Sequence, residues 1–196
     1  MFKNISKLHK NLILLLSGLL GIIYFIPLWF IILKSPQYRD GLSMFVWLSK
    51  ITGGNEFDLK NINLLNHYVG MKEVHAADFI EFTYMPYILG FMILGGIVTY
   101  FYSKRIMVLA GLVSFFLVAL AGLYDLYRWE QEYGHNLDTS AALSMKGLSF
   151  SPPVLGCKPM MNFIVCSWPH AGGSLLLIVG FSLAIISYRE FFKKCA

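Results

Sequence analysis

Four apolar runs, roughly Leu12–Leu33, Phe79–Phe101, Ile106–Leu126 and Gly172–Tyr188, alternate with two longer, more polar stretches at residues 34–78 and 127–171. Each run approaches the ~20 apolar residues that an α-helix needs to cross about 30 Å of hydrocarbon. Only helices and closed barrels satisfy their backbone groups in lipid, and runs this unbroken lack the alternation of a barrel strand. The pattern therefore predicts an all-α membrane protein. It has four transmembrane helices and two long, ordered extracytoplasmic loops, in a single membrane domain over residues 1–196. The first run is too long for a signal-peptide core and no small-x-small cleavage site follows it, so it reads as an anchor. Pro27 is expected to kink it, and Gly18 and Gly21 to allow close helix approach.

Charge orients this bundle. Lys3, Lys7 and Lys10 precede the first run, Lys104 and Arg105 occupy the short turn between the second and third, and Arg189, Lys193 and Lys194 follow the fourth. These segments alternate in topology, so all of them can share one side, and the positive-inside rule makes that side the cytoplasm. Both termini are then cytoplasmic and both long loops lie outside. The formal charge of +5 is absorbed by this asymmetry and does not point to nucleic acid. The loops are rich in Tyr, Trp and Phe, as expected of caps resting at a membrane surface.

Within the first loop, Met44–Ile51 has Phe45, Leu48 and Ile51 at helical spacing before Gly53 and Gly54, which predicts a short amphipathic helix. Further on, a helix through Asn61–Met71 places His67 and Met71 four residues apart on one face. Imidazole and thioether together suit copper, especially Cu(I). The alternative is that His67 bonds a loop carbonyl and Met71 packs. Asp78 is placed to cap the second membrane helix. Glu81 falls one turn inside it, where a charge needs protein partners.

The third run continues into Tyr124-Asp-Leu-Tyr-Arg-Trp-Glu-Gln-Glu-Tyr-Gly-His135. As a helix ending at Gly134, it gathers Asp125, Arg128, Glu132 and His135 on one face. That face is either a salt-bridged stem or a metal or proton site. If the two loops meet, His67 and Met71 can bind Cu(I) with groups from Glu81 or the Asp125–His135 face. His135 is then a candidate ligand, and Glu81, Asp125 and Glu132 orient the imidazoles. Cys157 and Cys166, both outside, suit a disulfide or two free thiols better than a metal site. Cys195 reads as a cytoplasmic free thiol. No Walker A, GxGxxG, CxxCH, HExxH or nucleophile-elbow sequence is present, so no enzyme class is indicated. None of the five His falls within an apolar run, which argues against haem held between helices.

At these motifs the chain resembles a family of small four-helix membrane proteins encoded in the gene clusters of atypical (clade II) nitrous oxide reductases. The likeness rests on Ser35-Pro-Gln-Tyr-Arg-Asp-Gly-Leu-Ser-Met44, Ile62-Asn-Leu-Leu-Asn-His-Tyr-Val-Gly-Met-Lys72, Tyr124 to Asp138 and Ser151-Pro-Pro-Val-Leu-Gly156. It departs from the family at Arg39-Asp40, where Pro-Glu is expected, and at Cys157 and Cys166, where no cysteine is expected. The resemblance implies a non-enzymatic accessory protein of the bacterial inner membrane. Its partners would be the lipid bilayer and a periplasmic copper enzyme or its maturation proteins, and its pathway nitrous oxide reductase maturation or electron supply. Two other readings stand beside it: a metal-free docking subunit, and a quinol-reactive subunit with Glu132 or His135 as proton acceptor.

Overall fold

The computed structural model describes residues 4–141, 152–160 and 163–192. Lys3, Met161, Lys193, Lys194, Cys195 and residues 142–151 lie outside the described residues. Four helices are long and apolar enough to cross a membrane: Lys7–Phe25, Glu81–Tyr102, Arg105–His135 and Ala171–Phe192. They are consistent with a membrane protein. The expectation of an all-α fold is wrong, however. A five-stranded antiparallel sheet stands beside the helices, so the fold is mixed α and β.

The first apolar run contains two elements. Helix α1 spans Lys7–Ile22, with the Ser6 hydroxyl accepting a hydrogen bond from the His9 backbone N–H at its start. A 3-10 turn follows at Ile23–Phe25, and Ile26, just before Pro27, is extended at φ −130°, ψ 147°. That is the conformation a following proline imposes. Pro27 thus ends the helix instead of kinking it, and Trp29–Ser35 becomes strand β1. This strand is the middle one of the sheet, flanked by strands on both sides. Half-buried along Trp29–Leu33 with no polar residue among them, it lacks polar alternation and reads as a continuation of the membrane run.

Strand β2 is Tyr38–Val46, β3 Ile51–Gly53, β4 Gly156–Met160 and β5 Phe163–Pro169, in the order β3-β2-β1-β5-β4. The amphipathic helix expected at Met44–Ile51 is therefore two strand ends joined by a turn, in which Trp47 N–H donates to Lys50 O at 2.8 Å. Leu42 and Met44 carry the period-two signal that the helical spacing of Phe45, Leu48 and Ile51 obscured. Register places Met44 opposite Ile31, and both Leu42 and Val165 opposite Leu33, so these residues share one face.

Helix α2, Asp58–Val69, packs on this sheet, and the cap core also includes Val74, Phe79, Phe82, Trp129 and Tyr133. The last two stand on helix α4, Arg105–His135, which follows helix α3, Glu81–Tyr102. At 1.5 Å per residue the 31 residues of α4 extend ~46 Å, well beyond a hydrocarbon core, so its end belongs to the cap. Helix α5 is Ala171–Phe192.

Backbone hydrogen bonds join the segment leading into the sheet to the start of α5. Gly172 N–H donates to Pro27 O at 2.9 Å, and Gly173 N–H to Leu28 O at 3.1 Å. These bonds satisfy N-terminal donors of α5 that have no partner within the helix. The approach needs glycine, because a Cβ at Gly173 would lie 2.5 Å from Leu28 O. Within the bundle, Gly18 and Gly21 face open space; close approaches are at Gly96, against Ser17, and at Gly180, against Phe115.

The opposite end of the bundle holds a buried ion pair. Glu190, 3% exposed, accepts from Ser6 N–H at 3.0 Å and lies 2.6 Å from His9 Nδ1. Arg105 Nε lies 3.1 Å from its other oxygen, a contact not aligned as a hydrogen bond. One carboxylate thus joins the starts of α1 and α4 to the end of α5. His9, expected outside the apolar run, stands in the first turn of α1.

Candidate functional site

The cap brings the two long loops together around a cleft of about 700 Å³, whose wall includes His67, Tyr68, Met71, Lys72, Glu73 and Asp138. Its shape begins at the end of α2. Gly70 adopts φ +82°, the left-handed conformation that closes helices, and Met71 N–H returns to Asn66 O at 2.8 Å. Asn63 then pairs with Val74 in both directions, at 2.8 and 3.2 Å. Tyr133 of α4 donates its hydroxyl proton to Glu73 O at 3.2 Å, and Asp138 N–H donates to Gly70 O at 2.7 Å.

His67 and Met71 both line this cleft, but not from one helical face as expected: α2 ends at Val69, and Met71 follows the left-handed Gly70. Met71 also lines a second, small cavity of about 40 Å³ together with Met160. Asp138, across the cleft, is held below the usual carboxylate range by the hydroxyl and then the backbone N–H of Ser140, with His67 adding a smaller contribution.

The carboxylates are engaged elsewhere. Arg128 bonds Asp125 at 2.8 Å and Glu81 at 3.1 Å, forming one exposed triad between α3 and α4. Glu132 pairs with Lys72 at 3.1 Å, and the His135 ring nitrogen Nδ1 lies 3.0 Å from Gln131 O. Glu132 and His135 are not in the cleft wall. Among the described residues, no three His, Cys, Asp or Glu side chains gather as a metal-binding group. Asp78 does not cap α3. It sits in a 3-10 turn, Ala76–Asp78, and the N-cap Ile80 makes no side-chain bond. Nor does Gly134 end α4, which continues to His135.

Cys157 and Cys166 form a disulfide between directly opposed residues of β4 and β5. Three further polar residues carry weight that the sequence did not signal. Asp58 is buried, and one of its oxygens accepts from both Ser43 N–H and Asn55 N–H at 3.1 Å, tying β2 to the start of α2. Glu190 is the ion-pair centre described above; an acid among the basic residues that follow the last run was its only trace. Glu130 is 1% exposed, and neither oxygen has a hydrogen-bond partner among the described residues. Nothing distinguished it from its exposed neighbour Glu132. No protein-family model and no curated protein matches the chain.

Proposed function

We propose that this is a membrane-anchored accessory protein whose folded cap lies outside the cytoplasm. There it receives a periplasmic copper enzyme, nitrous oxide reductase, or one of the proteins that mature it. The observation that carries this reading is the cap itself. Segments from both loops meet in one sheet-and-helix unit around an open cleft, and a disulfide crosses its last hairpin. A disulfide suits the oxidising side of a membrane, and the basic residues at the far end of the bundle suit the cytoplasm. The residue likeness to proteins of clade II nitrous oxide reductase clusters supplies the choice of partner.

Binding of purified nitrous oxide reductase, copper-loaded and copper-free, to the protein in nanodiscs tests it. Association should weaken about tenfold, or ~1.4 kcal/mol, when Tyr68 on the cleft wall is changed to alanine. The reading fails if neither form of the reductase binds and cells lacking this protein make a reductase with full copper content.

A second reading, in which the cap binds copper, is favoured by one observation: His67 and Met71 share the cleft wall. With Glu81, Asp125 and Glu132 already paired, the ligands in this reading are nitrogen and sulfur and not carboxylates. Cu(I) titration of the purified protein, native and His67→Ala, separates the two readings.

A further inference from the structure

The sheet has two apolar faces, and α2 covers one of them, where Leu42 and Met44 meet Ile62 in the cap core. Side chains alternate along a strand, so the residues between these point the other way. On that outer face Phe45, Phe30 and Trp168 form the row nearest the bundle. Ile32 lies opposite Cys166 in the next row, beside the disulfide, and Lys34 lies opposite Ile164 in the one beyond. These three rows hold one lysine and no acid. Trp168 is 43% exposed and Ile164 47%. A contiguous apolar surface of this kind marks a contact face.

The base of the face identifies what it contacts. Strand β5 ends at Pro169 and α5 begins at Ala171, so the aromatic row continues directly into the apolar surface of the helices. Phe25, 79% exposed, ends the 3-10 turn shortly before β1 and extends the same surface. The end of β2 is held at this level by Leu28 N–H, which donates to Val46 O at 2.8 Å. Trp47 follows, with Lys50 Nζ 4.9 Å from its ring centroid. Tryptophan and lysine at the end of a membrane helix anchor at the headgroup layer.

We propose that the outer face of the sheet lies against the bilayer that holds the helices, so that the cap leans on the membrane and Lys34 reaches the phosphates of anionic lipid. Apolar rows then enter the boundary between headgroups and acyl chains, while the lysine ammonium stays among the headgroups. A protein partner fits the face less well, because its rows lack the polar rim through which such interfaces pair. The proposal is independent of the reductase reading and of which side of the membrane the cap occupies. An upright sheet is the alternative, and it would hold Ile164 ~13 Å above Trp168, at about 3.3 Å for each of four residues.

The test is the collisional accessibility of a nitroxide at Ile164→Cys, read by electron paramagnetic resonance on full-length Cys195→Ser protein in nanodiscs containing anionic lipid. Labels at Phe181→Cys, on α5, and at Glu56→Cys, in an exposed part of the cap, mark the lipid and water limits. Mass spectrometry checks that each label is at its intended site with the Cys157–Cys166 bond intact, and circular dichroism checks that each variant folds. The label at 164 should collide with oxygen more than with a water-soluble nickel chelate, as at 181, and lose most of the chelate accessibility seen at 56. Lys34→Glu should restore part of that accessibility, more in anionic than in zwitterionic discs; an equal response in both removes the headgroup contact. Chelate accessibility at 164 equal to that at 56 overturns the proposal and leaves the face free for a protein. Dipolar broadening between labels at 164, in discs large enough for two copies, overturns it in favour of a second copy of this chain.

Discussion

Asp138 N–H donates to Gly70 O at 2.7 Å, joining the turn after α4 to the end of α2 across 68 residues of sequence. Gly70 is essential to that contact for two reasons. Its φ of +82° is costly for any residue with a Cβ, and a Cβ there would lie 2.5 Å from Asp138 O. Gly70→Ala should destabilise the cap by about 1–3 kcal/mol from backbone strain alone. Because the clash is with backbone, it should also open the cleft. Thermal unfolding, together with protease sensitivity of the 136–141 segment, measures both effects. A variant as stable and as resistant as the native protein would remove this contact from the account of the fold.

Glu190 is a buried charge with three partners from two other helices. Removing one member of a buried ion pair leaves the others uncompensated, at a cost of about 3–5 kcal/mol. Glu190→Ala should therefore lower the unfolding midpoint more than any substitution of an exposed loop acid such as Glu56. If the two variants unfold together, the cluster contributes little to assembly of the bundle.

Glu130 predicts the opposite sign. A buried polar group without a partner costs about 1–3 kcal/mol, and replacing it by an apolar group of similar shape removes that cost. Glu130→Met should accordingly raise the unfolding midpoint. A lower midpoint would mean that the carboxyl group makes a stabilising interaction in the native protein.

The Cys157–Cys166 disulfide closes a short hairpin, and a cross-link of this kind is worth about 2–3 kcal/mol. Cys157→Ser with Cys166→Ser should lower stability by that amount and abolish the mobility difference between reduced and non-reduced protein after thiol alkylation. No such difference in native protein purified from membranes would place the hairpin in a reducing compartment and reverse the proposed orientation.

Orientation has a direct test as well. In a background lacking Cys195, cysteines at Glu56 and Thr139 should react with a membrane-impermeant maleimide applied from outside, and one at Lys104 should not. Outside labelling at Lys104 would invert the topology.

Sequence by itself determined most of the stretches that form helices long and apolar enough to cross a membrane. Three of the four runs map onto α3, α4 and α5, because a helix in lipid needs only local length and hydrophobicity. It also singled out His67 and Met71, which both line the cleft, although Met71 gets there through the turn at Gly70 and not along the helix. The tertiary structure decided everything that depends on partners distant in the chain. Trp29–Ser35 is as apolar as a membrane helix and becomes a strand because β2 and β5 supply hydrogen-bond partners on both sides. The Asp125–Arg128 pair was legible as a one-face contact on one helix, but only the fold brought Glu81 to Arg128 and Lys72 to Glu132. Met160 reaches the small cavity that Met71 also lines only because the β4–β5 hairpin carries it there. Periodicity reports which face of an element is buried but not what buries it, and for this cap the covering groups come from the other loop.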